Sequence, residues 1–273
     1  MAMLKRPDVE LHYELAGSGP PVLLIQGVGA SGEAWRPQVR GLAEDYQTLI
    51  FDNRGLGRSI PCRGPISIEA MAADARSLMD AVGWESAHVV GHSMGGVIAQ
   101  QLALDAPKRV RSLSLLCTFS RGKDGARLNP WVLWMTLRTR FGSRPSRRRA
   151  FLEMLFPPSE LAGANLDELA VRVAGLVGRD LADSPPILMK QVQALARHDT
   201  SGRLRELTGI PTLVVSAALD PIARPGYGRQ IAELLPGAHY EEIAGAAHGV
   251  TIQLPEKINE RLRTFFRQSG SRD

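Results

Sequence analysis

A chain of 273 residues with 44% hydrophobic and 22% charged side chains has ordinary globular composition, which excludes a disordered polyelectrolyte and suits one large α/β domain with an insertion. The net charge of +5 comes from 33 Lys+Arg against 28 Asp+Glu. Residues 121–200 hold 13 basic and 8 acidic side chains, so the whole excess lies in one internal segment and a chain-wide coat for phosphate backbones is excluded.

In chain order, residues 9–15 alternate apolar and polar, as a half-exposed strand does. Residues 17–21 are turn chemistry. Val22 to Ile25 and Gln47 to Phe51 are short apolar runs that suit strands buried on both faces. Ser67 opens a helix whose apolar residues at 68, 71, 75, 78, 79 and 82 share one side, and Gly83 closes it. Ala87 to Val90 is another buried strand, residues 97–104 a small-residue helix, and residues 110–117 a strand. Residues 119–200 then read as helical with Pro and Gly punctuation. From Thr212 the alternation resumes: strand 212–215, helix 224–235, strand 239–243 and a closing helix 256–266. Strands alternating with helices imply a mostly parallel sheet covered on both faces. The expected division is a core of residues 1–118 and 201–273 with a helical cap of residues 119–200 over the C-terminal edge of the sheet, where such sheets bind ligands.

Two cysteines, Cys62 and Cys117, are too few for a disulfide framework. Residues 1–7 carry charge without a following apolar stretch, and no run approaches the ~18 apolar residues of a spanning helix. The chain is expected to be cytoplasmic, with no stable membrane insertion. No metal-ligand spacing or phosphate loop stands out, so no metal and no cofactor is expected.

Gly91-His92-Ser93-Met94-Gly95 is G-x-S-x-G between a buried strand and a small-residue helix. That context needs glycines at i−2 and i+2, because the backbone passes too close there for a Cβ, and it lifts the Ser93 hydroxyl above the sheet. A serine needs a base. Of the histidines at 12, 88, 92, 198, 239 and 248, His12 and His239 lie in strand patterns, His88 reads as core, His92 points off the turn and His198 reads as surface of the insertion. His248 lies in a glycine- and alanine-rich loop after the last strand, at the edge where Ser93 emerges. Asp220, just beyond strand 212–215, is at the same edge and supplies the carboxylate that fixes the tautomer of the base. Two backbone donors for a tetrahedral oxyanion are expected, the N–H of Met94 and that of Val28 in Gln26-Gly-Val-Gly29.

With these residues in place the chain resembles an α/β-hydrolase-fold serine hydrolase over residues 9 to 268. Asp52-Asn-Arg-Gly-Leu-Gly-Arg-Ser59 is similar to that family's D-x-R-G-x-G-x-S loop, in which Arg54 is expected to pair locally. The nearest pattern is that of small carboxylesterases, enol-lactonases, cofactor-free haloperoxidases or perhydrolases, and C–C-bond hydrolases. The resemblance implies an eight-stranded, mostly parallel sheet, Ser93, Asp220 and His248 as the triad, Val28 and Met94 as oxyanion donors, and a small-molecule ester or lactone as substrate. C–C cleavage and perhydrolysis by the same triad stay open, as does a non-catalytic receptor. Gln26 stands where the family often has His, and Ala217 where the acid loop usually has Gly. A serine nucleophile argues against haloalkane dehalogenases and epoxide hydrolases, which use aspartate.

In the insertion, Trp131, Trp134 and Met135 are expected on one helical face, either packed over the core or forming an apolar wall for an acyl group. Arg138, Arg140, Arg144, Arg147, Arg148 and Arg149 follow with no acid among them, as a solvated face, an attractor of anionic substrates or a contact for a lipid surface. Only Phe141 interleaves them, so nucleic-acid stacking is not expected. A second copy of the chain is the one macromolecular partner left open.

Overall fold

The computed structural model describes residues 2–125 and 130–270. Eight strands, β1 (Ala2–Lys5), β2 (Glu10–Ala16), β3 (Pro21–Ile25), β4 (Gln47–Phe51), β5 (Ala87–His92), β6 (Val110–Leu116), β7 (Thr212–Ala217) and β8 (His239–Ile243), form one sheet in the order β1-β2-β4-β3-β5-β6-β7-β8. The β1–β2 and β2–β4 pairs are antiparallel and the remaining pairs are parallel. This is the eight-stranded, mostly parallel sheet the sequence implies. Strand β1 is an addition. Its four residues alternate half-buried and exposed at the sheet edge, too short a run to announce itself.

The helices are α1 (Arg36–Leu42), α2 (Ile68–Ala81), α3 (Met94–Asp105), α4 (Gly122–Gly125), α5 (Pro130–Arg140), α6 (Arg144–Leu155), α7 (Pro158–Ala162), α8 (Leu166–Val177), α9 (Pro186–Arg197), α10 (Pro225–Leu234), α11 (Val250–Gln253) and α12 (Pro255–Gly270). Ser67 caps α2 through its side chain, which accepts from the Ala70 N–H at 3.1 Å. All six residues of β5 are buried. Because successive strand residues point to opposite faces, both faces of the sheet are covered there.

The principal core runs through β3–β7 and the helices flanking them. A second, smaller cluster lies within the α4–α9 segment: Leu152 and Phe156 meet Leu169, Val173, Val177 and Leu181 between α6 and α8. All elements described between β6 and β7 are helical.

The loop after β4 is knitted by buried polar contacts. Asp52 accepts from the N–H groups of Gly32 and Arg58. Arg54 is fully buried, and its pairing is long-range rather than local. It grips Asp74 of α2 with two bonds of 2.6 and 2.8 Å and also reaches Asp8 and the Pro65 carbonyl. A buried guanidinium costs desolvation that only such a complete partner set offsets. Removing it leaves the buried Asp74 carboxylate with Arg6 as its remaining charged partner, so Arg54→Ala should lower the unfolding free energy in urea by about 3 kcal/mol, the low end for a broken buried pair.

His88 packs face to face on Phe266 at 4.4 Å, edge-on to Tyr46, with Nδ1 2.7 Å from Ser112 Oγ. Burial, with Arg111 nearby, lowers its pKa from 6.5 to about 4. Below pH 6.5 the unfolded chain therefore binds a proton that the native state refuses. Stability should be level above pH 7 and fall as pH drops from 6.5 towards 4. His88→Gln should flatten that limb by up to about 1.4 kcal/mol per pH unit in denaturation midpoints taken across the range.

Candidate active site

The turn between β5 and α3 holds Ser93 at φ +56°, a left-handed conformation that a non-glycine residue adopts only under constraint. The constraint is visible. Ser93 N–H donates to the Leu116 carbonyl at 3.0 Å, and its own carbonyl accepts from Gly96 N–H and from Thr118 Oγ1 at 2.6 Å. The glycines make room. A Cβ on Gly91 would lie 2.3 Å from the Gly95 carbonyl oxygen, and one on Gly95 2.0 Å from that of Ile25. The turn thus brings the end of β3 against the start of α3 at the nucleophile.

His248 follows β8, with Nε2 3.1 Å from Ser93 Oγ and Nδ1 2.7 Å from Asp220 Oδ2. Asp220 follows β7, is buried, and also accepts from the N–H groups of Ile222 and Ala223, both at 2.8 Å. Burial opposes its ionisation, but the His248 imidazole and these amides outweigh it and hold the carboxyl below its ordinary range. All three residues expected from the sequence come together in one hydrogen-bonded row. A proton on His248 Nδ1 satisfies Asp220, which leaves Nε2 to accept from the serine hydroxyl.

The loop after β3 lies across from this row. A Cβ on Gly27 would meet Ser93 Cβ at 2.9 Å, so the loop backbone approaches the nucleophile at closest range. Among the described residues, the N–H groups of Val28 and Met94 donate to no acceptor. Gln26 substitutes for the usual histidine by accepting from Gly27 N–H at 2.8 Å through Oε1.

His92 lines the cavity beside Ser93 and has a part that the sequence did not reveal. Its Nδ1 lies 3.1 Å from Gln26 Oε1, and its Nε2 2.8 Å from the His248 carbonyl, linking the loop after β3 to the loop that carries His248. Burial, with His248 close by, lowers its pKa to about 3, so it is neutral at pH 7. The expectation of His198 as surface is corrected: its ring is largely buried and Nδ1 contacts Glu69 at 2.9 Å. His12 and His239 lie in β2 and β8.

A cavity of about 500 Å³ opens over Ser93. Its floor includes Gly27, Val28, Ser93 and His248, and its walls include Phe151, Leu155, Leu188 and Val192 from α6 and α9. The Trp131 face is not that wall. Trp131 lines a separate cavity beside Phe156, Trp134 is exposed, and Met135 is buried. The same helix instead turns Thr136, Thr139 and Arg140 to the active cavity. The arginine run stays largely exposed but is partly paired by acids outside it: Glu153 takes Arg149 one turn away in α6 and Arg138 of α5, and Asp180 takes Arg144 and Arg148. Among the described residues no group of histidine, cysteine or acidic side chains could hold a metal. No helix there is long and apolar enough to cross a membrane.

Comparison with known proteins agrees with this architecture. A family model described as alpha/beta hydrolase fold matches residues 20–253. RutD of Azorhizobium caulinodans, which carries the name of a carbamate hydrolase, is 34% identical over 94% of this chain and 95% of its own. Among solved structures, BpoC of Mycobacterium tuberculosis H37Rv, named as a non-heme bromoperoxidase, is 28% identical with a TM-score of 0.82 over 95% of this chain and 96% of that one. The enol-lactonase of Burkholderia xenovorans LB400 is 26% identical with a TM-score of 0.77 over 95% and 97%.

The glycine contacts at the turn give a direct test. Gly95→Ala drives a methyl group into backbone rather than into a movable side chain. It should lower the melting temperature by several degrees and reduce Ser93 reactivity together, read by thermal unfolding and by labelling with a fluorophosphonate.

Proposed function

The chain belongs to the alpha/beta hydrolase fold family, and on that footing we propose that it is a serine hydrolase of carboxylic esters and lactones. The observation that carries this reading is the row Ser93 Oγ–His248–Asp220, with bonds of 3.1 and 2.7 Å, beside a loop and a helix start whose Val28 and Met94 N–H groups are unpaired among the described residues. Ser93 Oγ attacks the substrate carbonyl as His248 Nε2 takes its proton. The carbonyl oxygen, now an anion, settles between Val28 N–H and Met94 N–H. Collapse expels the alkoxide, which takes the proton from His248 and leaves an acyl-enzyme. Water, deprotonated by His248, repeats the attack and releases the acid. Asp220 stays ionised throughout and keeps the imidazole in the tautomer that accepts from serine.

The apolar walls over Ser93 favour an uncharged acyl or ring portion. The helical segment of residues 119–200, with its own small core, acts in this reading as the cap that shapes that portion. The name of RutD supports a second reading, a carbamate carbonyl as the group attacked, since the same donors and nucleophile serve any acyl carbon. The two free cysteines fit a reducing, cytoplasmic setting.

Hydrolysis of a panel of p-nitrophenyl esters, lactones and carbamates tests the proposal. Ser93→Ala should abolish turnover and fluorophosphonate labelling. Asp220→Asn should keep the fold but lower kcat by on the order of 10³–10⁴, because it favours the wrong imidazole tautomer. Activity surviving in Ser93→Ala would refute the mechanism, and a carbamate outpacing every ester would move the substrate class.

A further inference from the structure

The Val28 donor sits between Gly27 and Gly29, and glycine fixes no conformation by itself. Gly29 adopts φ +68°, a left-handed turn from which a short loop escapes by rotating its peptides. Upstream the loop is held from the sheet side, by Gln26 Oε1 on the Gly27 N–H and by Asn53 Nδ2 on the Gln26 carbonyl. Downstream, until Asp52 takes the Gly32 N–H, the ties come from the helical insertion. Gln191 Oε1 of α9 accepts from the Gly29 N–H at 2.9 Å, and Arg179 Nε donates to the Gly29 carbonyl at 3.3 Å. The Val177 carbonyl accepts from the Ser31 N–H at 3.1 Å. Gly29 is therefore gripped at both its backbone polar groups by side chains 150 and more residues away.

Gln191 is fully buried and stands behind the cavity wall that Leu188, Val192 and Leu195 present. It is out of reach of substrate. Among the described residues its Nε2 has no hydrogen-bond partner. A buried amide with half of its polar groups unmet is a costly choice for a position where an apolar side chain would pack, unless its oxygen is needed. The oxygen has one task, the Gly29 N–H.

We infer that Gln191 is a positioning residue for the acyl-transfer reaction. With Arg179 on the other side of the same residue, it holds the loop that presents the Val28 N–H to the developing oxyanion. This rests on the proposed hydrolase mechanism. It makes the donor geometry a property of the seated insertion as much as of the sheet. A preorganised donor stabilises the transition state without rearranging during the reaction, whereas a loose one forfeits that advantage. The loss belongs to the transition state, because substrate binding draws on the cavity walls, which Gln191 does not form.

The test compares Gln191→Met, which keeps the volume and deletes the acceptor, with Gln191→Glu, which keeps an acceptor and adds buried charge. Gln191→Met should lower kcat on p-nitrophenyl butyrate by about 10–100-fold with KM changed less than about threefold. Affinity for phenylboronic acid, which forms a tetrahedral anionic adduct on serine, should fall by a similar factor. Gln191→Glu should retain more turnover than Gln191→Met. A space-filling role predicts the opposite order, since burying a carboxylate costs more than burying a thioether. Circular dichroism and thermal unfolding establish that each variant is folded. If Gln191→Met does not fold, Arg179→Met, which frees the Gly29 carbonyl along with those of Asp180 and Asp183, should lower kcat and boronate affinity together by about 3–10-fold, whatever its lost place in the cavity lining does to KM.

Unchanged kcat, a loss confined to KM, or Gln191→Met outperforming Gln191→Glu overturns the inference while the hydrolase reading stands. A wild-type protein that neither turns over esters nor labels with a fluorophosphonate overturns both.

Discussion

Ser93 at φ +56° is the constraint on which the other parts of the site converge. The conformation is unfavourable for serine by on the order of 1–3 kcal/mol, and the surrounding structure over-determines it. The Leu116 carbonyl, Thr118 Oγ1 and the Gly96 N–H hold its backbone from three directions. Backbone occupies the volume where side chains of Gly91 and Gly95 would stand, and the Thr118 side chain that of Gly96. The same close approach puts the loop after β3 beside the nucleophile. The hydroxyl, the candidate donors and the base are thus outcomes of one packing problem at the C-terminal edge of the sheet.

Around that point the polar network is continuous rather than a set of separate pairs. Asp220 orients His248, whose carbonyl receives His92, whose other nitrogen faces the Gln26 amide that fixes Gly27. A displacement of the His248 loop is therefore felt in the loop after β3, which carries the candidate donor Val28. The insertion joins this circuit at two places. One is Gly29. The other is the Leu155 carbonyl, which accepts from the N–H of Gly249, the residue after the base.

The proposed triad was legible because each member sits just past a strand, and strand ends are marked by abrupt changes in composition. Gly91 to Gly95 follows an apolar run, Asp220 follows Thr212 to Ala217, and His248 follows β8 by a short loop rich in glycine and alanine. Contacts between segments remote in sequence left no such mark. Nothing in the pattern of α9 distinguishes Gln191 from the neighbouring polar residues, and its partner at Gly29 is 162 positions away. Arg54 looked like a local turn residue, yet its ligands come from α2 and from the segment before β2. The arginine run looked unpaired because Glu153 and Asp180 lie outside it; Glu153 meets Arg149 one turn along α6, and helix packing brings Glu153 to Arg138 and Asp180 to Arg144 and Arg148. The Trp131–Met135 face failed for a related reason. Periodicity says which side chains share a face, but not what that face meets.

The small cluster formed by Leu152, Phe156, Leu169, Val173 and their neighbours separates the interior of the insertion from that of the sheet. Substitutions in two cores that share few neighbours combine almost additively. The walls that a substrate meets can therefore be redrawn by repacking α6 and α8 while the strands beneath keep their register. Evolution of specificity in such a molecule is free to proceed on the roof at little risk to the foundation, except along the few strands of hydrogen bonding at Gly29, Ser31 and Gly249. Those junctions are where variants that explore new substrates would meet their first loss of rate.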